Sequence, residues 1–204
     1  MNNLAKNVLK DSVRGIELIP LDDALFNKRQ IFLEGEVTAD SCNALIKQLL
    51  YLQSVDDKQE ITLFINSNGG SVFDGLALYD FIRLIDCDVN TCVIGTAASM
   101  GAILALAGKK RMMLPSSRWM IHDPSYSSFN VGGKKSHEIQ EEVNKLNEVR
   151  EALGKIIAEK TGKSMEEIYE VTAKDTYFNA DEALKFGLCT EIISNDYFDL
   201  SNIV

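Results

Sequence analysis

The sequence predicts an α/β protein with largely parallel strands and one unusually long helix. Three observations carry this. Apolar strand-like runs alternate with segments of helical spacing through the first two-thirds of the chain, and repeated strand–helix–strand units place helices against parallel strands. Residues 89–108 carry no charge, as a buried strand followed by a buried helix would. From Ser136 onward, apolar residues recur in steps of three and four, giving a helix of about 25 residues and about 37 Å.

Residues 30–33 read as the first strand. Residues 39–52 follow as a helix, with Leu45, Ile46, Leu49, Leu50 and Leu52 mostly at helical spacing. Residues 61–66 form the second strand. A helix over 75–86 puts Leu76, Tyr79, Ile82 and Ile85 on one face. Residues 89–94 are the third strand, with a helix from about Ser99. The uncharged stretch 89–108 has the length of a membrane span, but Asn90, Thr91, Thr96, Ser99 and three glycines make it a poor one. A short strand over 118–121 follows.

In the long helix, Ser136 is the expected N-cap and Thr161-Gly162 the stop. Its stripe, from Ile139 through Val143, Leu146, Val149 and Leu153 to Ile157, needs a partner, and a second subunit fits. Ser164–Glu167 and Asn179–Glu182 have the pattern of capping boxes. They open short helices, the first running through Val171 and the second ending at Gly187. Residues 173–178 between them read as irregular or strand-like. With no repeat or linker, residues 1–204 read as one domain.

Composition narrows the function. The 204 residues are 46% hydrophobic and 25% charged, ordinary for a soluble globular chain. The net charge of −9, with scattered basic residues, argues against a nucleic-acid partner. Cys42, Cys87, Cys92 and Cys189 lack metal or redox spacing and fit a reducing compartment. Two histidines make a His-rich metal site a poor expectation. Residues 1–20 hold no continuous apolar run of the secretory type, so a cytoplasmic location is expected.

Four places can carry chemistry. Ser99 stands between a buried strand and an apolar helix, where a serine is either an N-cap or a nucleophile whose oxyanion meets nearby N–H groups. His122 ends an apolar strand before Asp123-Pro124, as a structural histidine or a general base. His137, among Lys134, Lys135, Ser136 and Glu138, reads as solvated surface. Gly69-Gly70 follows a strand directly, either as a plain turn or as a loop donating backbone N–H groups. Asp175 is a surface carboxylate by default and a histidine-orienting one by position.

Taken in order, these residues resemble the ClpP family of proteolytic subunits. The resemblance rests on Ile65-Asn66-Ser67 with Gly69-Gly70-Ser71-Val72, then Ala97–Ala102 around Ser99. It continues with Leu114-Pro115, Ser117-Arg118, Met120-Ile121-His122 and Pro124, and closes with Asp175, Phe178, Ala180, Glu182-Ala183 and Gly187-Leu188. It implies a serine endopeptidase with Ser99 as nucleophile, His122 as general base and Asp175 as orienting carboxylate. Gly70 and Met100 would supply the oxyanion N–H groups, and Gly69, Val72, Pro124 and Ser125 would bind substrate. The implied fold is a crotonase-like β-α spiral, with an axial segment over about 1–18 and a handle strand and helix over about 123–161. The implied assembly is a tetradecamer of two stacked heptameric rings, fed by an AAA+ Clp unfoldase that uses ATP. The peptidase would need no metal and no cofactor of its own. A weakly active ring subunit needing a second ClpP paralogue is one alternative, and a crotonase-type acyl-CoA enzyme is another.

The chain departs from the family pattern at Asn68 (usually proline), Asp123 (usually glutamine) and Lys174 (usually arginine). Asp123 and Lys174 are expected to form a replacement ion pair. Residues 125–135 look longer than usual, residues 1–18 do not match the usual axial sequence, and Thr62 stands at one often aromatic position of the docking pocket while Phe64 keeps the aromatic character of the other.

Overall fold

The computed structural model describes residues 7–12, 15–126 and 131–193. An antiparallel pair opens the chain, β1 (Asn7–Ser12) with β2 (Gly15–Pro20), followed by α1 (Leu21–Asn27). Of the span expected as an axial segment, residues 7–12 and 15–18 are described. Then come β3 (Gln30–Val37), α2 (Ala39–Val55), β4 (Ile61–Gly70), α3 (Val72–Leu84), β5 (Val89–Ala98) and α4 (Met100–Leu106). The remaining elements are β6 (Arg111–Met113), β7 (Arg118–Ile121), α5 (Ser136–Thr161), α6 (Met165–Thr172), β8 (Thr176–Phe178), α7 (Ala180–Phe186) and β9 (Glu191–Ile192). The expected α/β alternation and the long helix are both present.

The main sheet runs β3-β4-β5-β6-β9, all parallel. The far end of β5 pairs instead with β7, which carries β8 antiparallel. So β5 is shared: its first half pairs with β6 and its last residues with β7. That fork swings the end of β7, and with it His122, toward the end of β5. One core joins Leu33, Ile65, Leu78, Leu104 and Trp119 with Leu153 and Ile157 of α5 and Ile168 of α6. Phe64 stacks on its register partner Phe32 at 5.0 Å between ring centroids.

Several boundaries differ from expectation. β4 and β5 run on to Gly70 and Ala98, because each keeps pairing past a register shift after Ile65. Ser136 does not cap α5. Lys135 holds the cap position, and its N–H donates to Glu138 Oε2 at 2.6 Å, so Ser136 is already helical. The other two capping boxes form as expected, on Ser164 and Asn179. Residues 123–126 and 131–135, the described part of the expected handle strand, pair with no strand. The buried contacts of α5 gather at Leu153, Gly154 and Ile157, while Val143 in its first half is exposed.

Arg29 is a core device the sequence did not announce. It is buried, with φ +59°, and its guanidinium donates to the carbonyls of Leu52, Asp56 and Glu60. It closes the C-terminus of α2 and ties it to the start of β4. Arg29→Leu leaves these carbonyls short of donors. It is expected to cost about 3 kcal/mol and to lower Tm by roughly 6–12 °C in a thermal melt.

Candidate active site

The site is built at the ends of β4 and β5. The chain leaves β5 at Ser99 with φ +54° and ψ −124°, a conformation sparsely populated for any residue but glycine. Such strain costs on the order of 1–3 kcal/mol and persists only where the surroundings impose it. Here they do. Ser99 N–H donates to Met120 O of β7, and Ser99 O accepts from Ala102 and Ile103 of α4. Ser99 occupies the N-cap position of α4, yet its side chain caps nothing. The hydroxyl instead faces His122, with Oγ 2.9 Å from Nε2.

His122 follows β7 directly and its side chain is 23% exposed. Its other nitrogen, Nδ1, lies 3.5 Å from Asp175 Oδ1, longer than a normal hydrogen bond. Asp175 precedes β8, which pairs with β7, and its side chain is 64% exposed. The fork in the sheet therefore brings together three residues that the sequence places far apart. His137 is exposed on the first turn of α5.

The glycine pair closes the site from the side of β4. Gly69 has φ +95°, and a Cβ there would sit 2.7 Å from Ala98 O and from Ser99 Cβ. At Gly70, with φ +149°, a Cβ would fall 2.3 Å from Val37 O. Both positions thus need glycine for dihedral and for space. Ser67 Oγ accepts from Gly69 N–H at 3.1 Å and helps hold the loop.

A cleft of about 190 Å³ opens beside Ser99. Gly70, Val72, Met100, Pro124 and Ser125 line it, and Gly69 does not. Its apolar wall comes from Ile103, Ile121, Leu153 and Ile157, the last two belonging to the stripe for which the sequence suggests a second subunit as cover. The i, i+4 spacing of Leu153 and Ile157 was visible, but it does not say what the face covers.

Asp123 does not pair with Lys174. Its carboxylate meets Thr172 Oγ1 at 2.6 Å and Arg150 Nε at 2.8 Å. The reason is geometric: the backbone N–H of Asp123 donates to Thr172 O at 2.7 Å, which turns the side chain toward α6 and α5.

The cysteines are buried and unpaired. Burial raises the thiols of Cys42 and Cys189 and pushes that of Cys92 up to about 12. Thiols held protonated in this way do not compete with Ser99 as nucleophiles. Among the described residues no cluster of histidine, cysteine and acidic side chains is placed to hold a metal ion, and no helix is long and apolar enough to cross a membrane.

A family model described as Clp protease matches residues 14–196. The chain belongs to the Clp protease family. Over 194 residues, and 94% of each chain, it is 41% identical to the ATP-dependent Clp protease proteolytic subunit 2 of Chlamydia trachomatis serovar D. Over the same span it is 40% identical to proteolytic subunit 2 of Chlamydia muridarum and 39% identical to proteolytic subunit 1 of Chlamydia felis. Clp protease relatives bearing both subunit numbers thus match along nearly the whole chain. The serine peptidase class follows with the Clp protease family, and the acyl-CoA alternative falls away.

Proposed function

We propose that this chain is the peptidase subunit of an ATP-dependent Clp protease, and that Ser99, His122 and Asp175 are its catalytic triad. The observation that carries the assignment is Ser99 Oγ standing 2.9 Å from His122 Nε2 on a strained turn that leaves the hydroxyl free of capping. Ser99 Oγ attacks the scissile carbonyl while Nε2 takes its proton. Asp175, beyond Nδ1, stabilises the imidazolium that results. The N–H groups of Gly70 and Met100 receive the oxyanion. His122 returns the proton to the leaving amine, and water, activated by the same imidazole, releases the acyl group from Ser99. The chemistry uses no metal and no cofactor in this chain, and ATP is spent by the partner unfoldase.

The cleft beside Ser99 receives the residue on the acyl side of the cut bond, with Gly69, Val72, Pro124 and Ser125 holding the peptide backbone. Its aliphatic wall makes leucine a better occupant than aspartate or lysine, whose charge would be buried without a partner. In a panel of fluorogenic peptides varied at that position, leucine is expected to exceed either charged residue in kcat/KM by about 100-fold or more.

The assembly proposed is two stacked heptameric rings, in the cytoplasm, working with an AAA+ Clp unfoldase on unfolded polypeptides. The incompletely covered first half of α5 supports it. The 3.5 Å gap between His122 and Asp175 favours a second reading, a subunit whose triad tightens only beside a partner paralogue. Light scattering on a calibrated column, with peptide turnover measured in each fraction, tests both. A double-ring peak with turnover supports the first. A smaller, inactive species that gains turnover when mixed with a partner subunit supports the second.

A further inference from the structure

We propose that Asp123 and Arg150, with Thr172, form a positioning clasp that sets the distance between His122 and Asp175. This rests on the triad reading above. Asp123 follows His122 in the chain, and Thr172 stands three residues before Asp175. Two contacts join them directly: Asp123 N–H to Thr172 O at 2.7 Å, and Thr172 Oγ1–H to Asp123 Oδ1 at 2.6 Å. Thr172 is buried, so its backbone and hydroxyl give a fixed anchor.

The second carboxylate oxygen of Asp123 is held by the long helix. Arg150 Nε lies 2.8 Å from Oδ2, and the two side chains are 33% and 31% exposed. Its N–H is not aligned on that oxygen, so the attraction is Coulombic rather than a directed hydrogen bond. The guanidinium is steered instead by Tyr169 of α6, whose ring centroid lies 4.1 Å from Arg150 Cζ. The clasp thus gathers the end of β7, the middle of α5 and the end of α6 within a few residues of both His122 and Asp175.

The clasp acts on the weaker contact of the triad. Ser99 and His122 are already at hydrogen-bond distance, whereas Asp175 stands off at 3.5 Å from an exposed position. Any slack between residues 123 and 172 widens that gap further. Asp123 and Arg150 touch no reacting atom in this arrangement, so they are positioning residues. Their loss is expected to lower kcat and spare KM, because the cleft that binds substrate is walled by other side chains.

The test compares Asp123→Asn, Arg150→Met and the double variant with wild type. It measures kcat and KM on a fluorogenic peptide, the rate of labelling by a fluorophosphonate, assembly size by light scattering, and Tm. Each single variant is expected to lose kcat and labelling rate by about 10–30-fold, with KM within about twofold and wild-type size and Tm. The double variant is expected to be no worse than the singles, since both break one device. Unchanged kcat in either single variant, losses that multiply in the double, or losses that follow a smaller assembly or a lower Tm would each overturn the clasp. Wild-type turnover that survives Ser99→Ala would overturn the triad reading itself. Turnover that needs Ser99 but ignores Asp123 and Arg150 overturns the clasp alone.

Discussion

Ser99→Ala is expected to lower peptide turnover by about 10⁴-fold or more. It should also abolish labelling by a fluorophosphonate while leaving the fold and assembly in place. The expectation follows from what the hydroxyl does and does not touch. It contacts His122 and supplies no cap to α4, so removing it deletes the proposed nucleophile without unsatisfying the backbone. Alanine meets the same strain as serine at φ +54°, so Tm should move by less than about 1 kcal/mol would produce. Turnover within tenfold of wild type in purified Ser99→Ala would sink the proposed mechanism.

The second large effect is expected at Gly70. A Cβ there lies 2.3 Å from Val37 O, an overlap that only a backbone shift relieves. The shift drags the Gly70 N–H away from its proposed place facing the oxyanion. Gly70→Ala should therefore reduce kcat by about 10²–10³-fold, the worth of one oxyanion donor. Gly162→Ala is the control. That glycine, with φ +71°, ends α5 with nothing within 4 Å of a built Cβ. It should cost about 1 kcal/mol of stability, as an alanine in the left-handed region does, and leave kcat unchanged. Equal losses of activity at Gly70 and Gly162 would show that general destabilisation, not the oxyanion loop, is being measured.

Strands and helices with strong apolar periodicity were legible in the sequence because burial writes itself into residue spacing. The β3–α2–β4–α3–β5 succession and α5 are of this kind. Short elements such as β6 and β9 were not legible. Two or three residues carry no periodicity, and their pairing depends on neighbours distant in sequence. Arg29 was hidden for a related reason: an arginine reads as surface until the fold brings three carbonyls around it. The candidate site divides in the same way. Ser99, His122 and Asp175 were reached through local context and a family resemblance, and the sheet fork at β5 shows how they meet. Asp123 was assigned to Lys174 because both depart from the family pattern. The backbone bond to Thr172 turns it toward Arg150, and no one-dimensional spacing records that turn.

The uneven burial of α5 has a consequence for the chain on its own. Leu153 and Ile157 are buried, but Val143 is exposed and Leu146 and Val149 are only partly covered. An amphipathic helix draws most of its stability from packing that face. On the proposed assembly the missing cover arrives only when copies meet, so mass action governs how firmly the helix is held. Dilution should then lower Tm, and concentration should raise it. A newly made chain in excess of its neighbours would keep half of its longest helix poorly anchored.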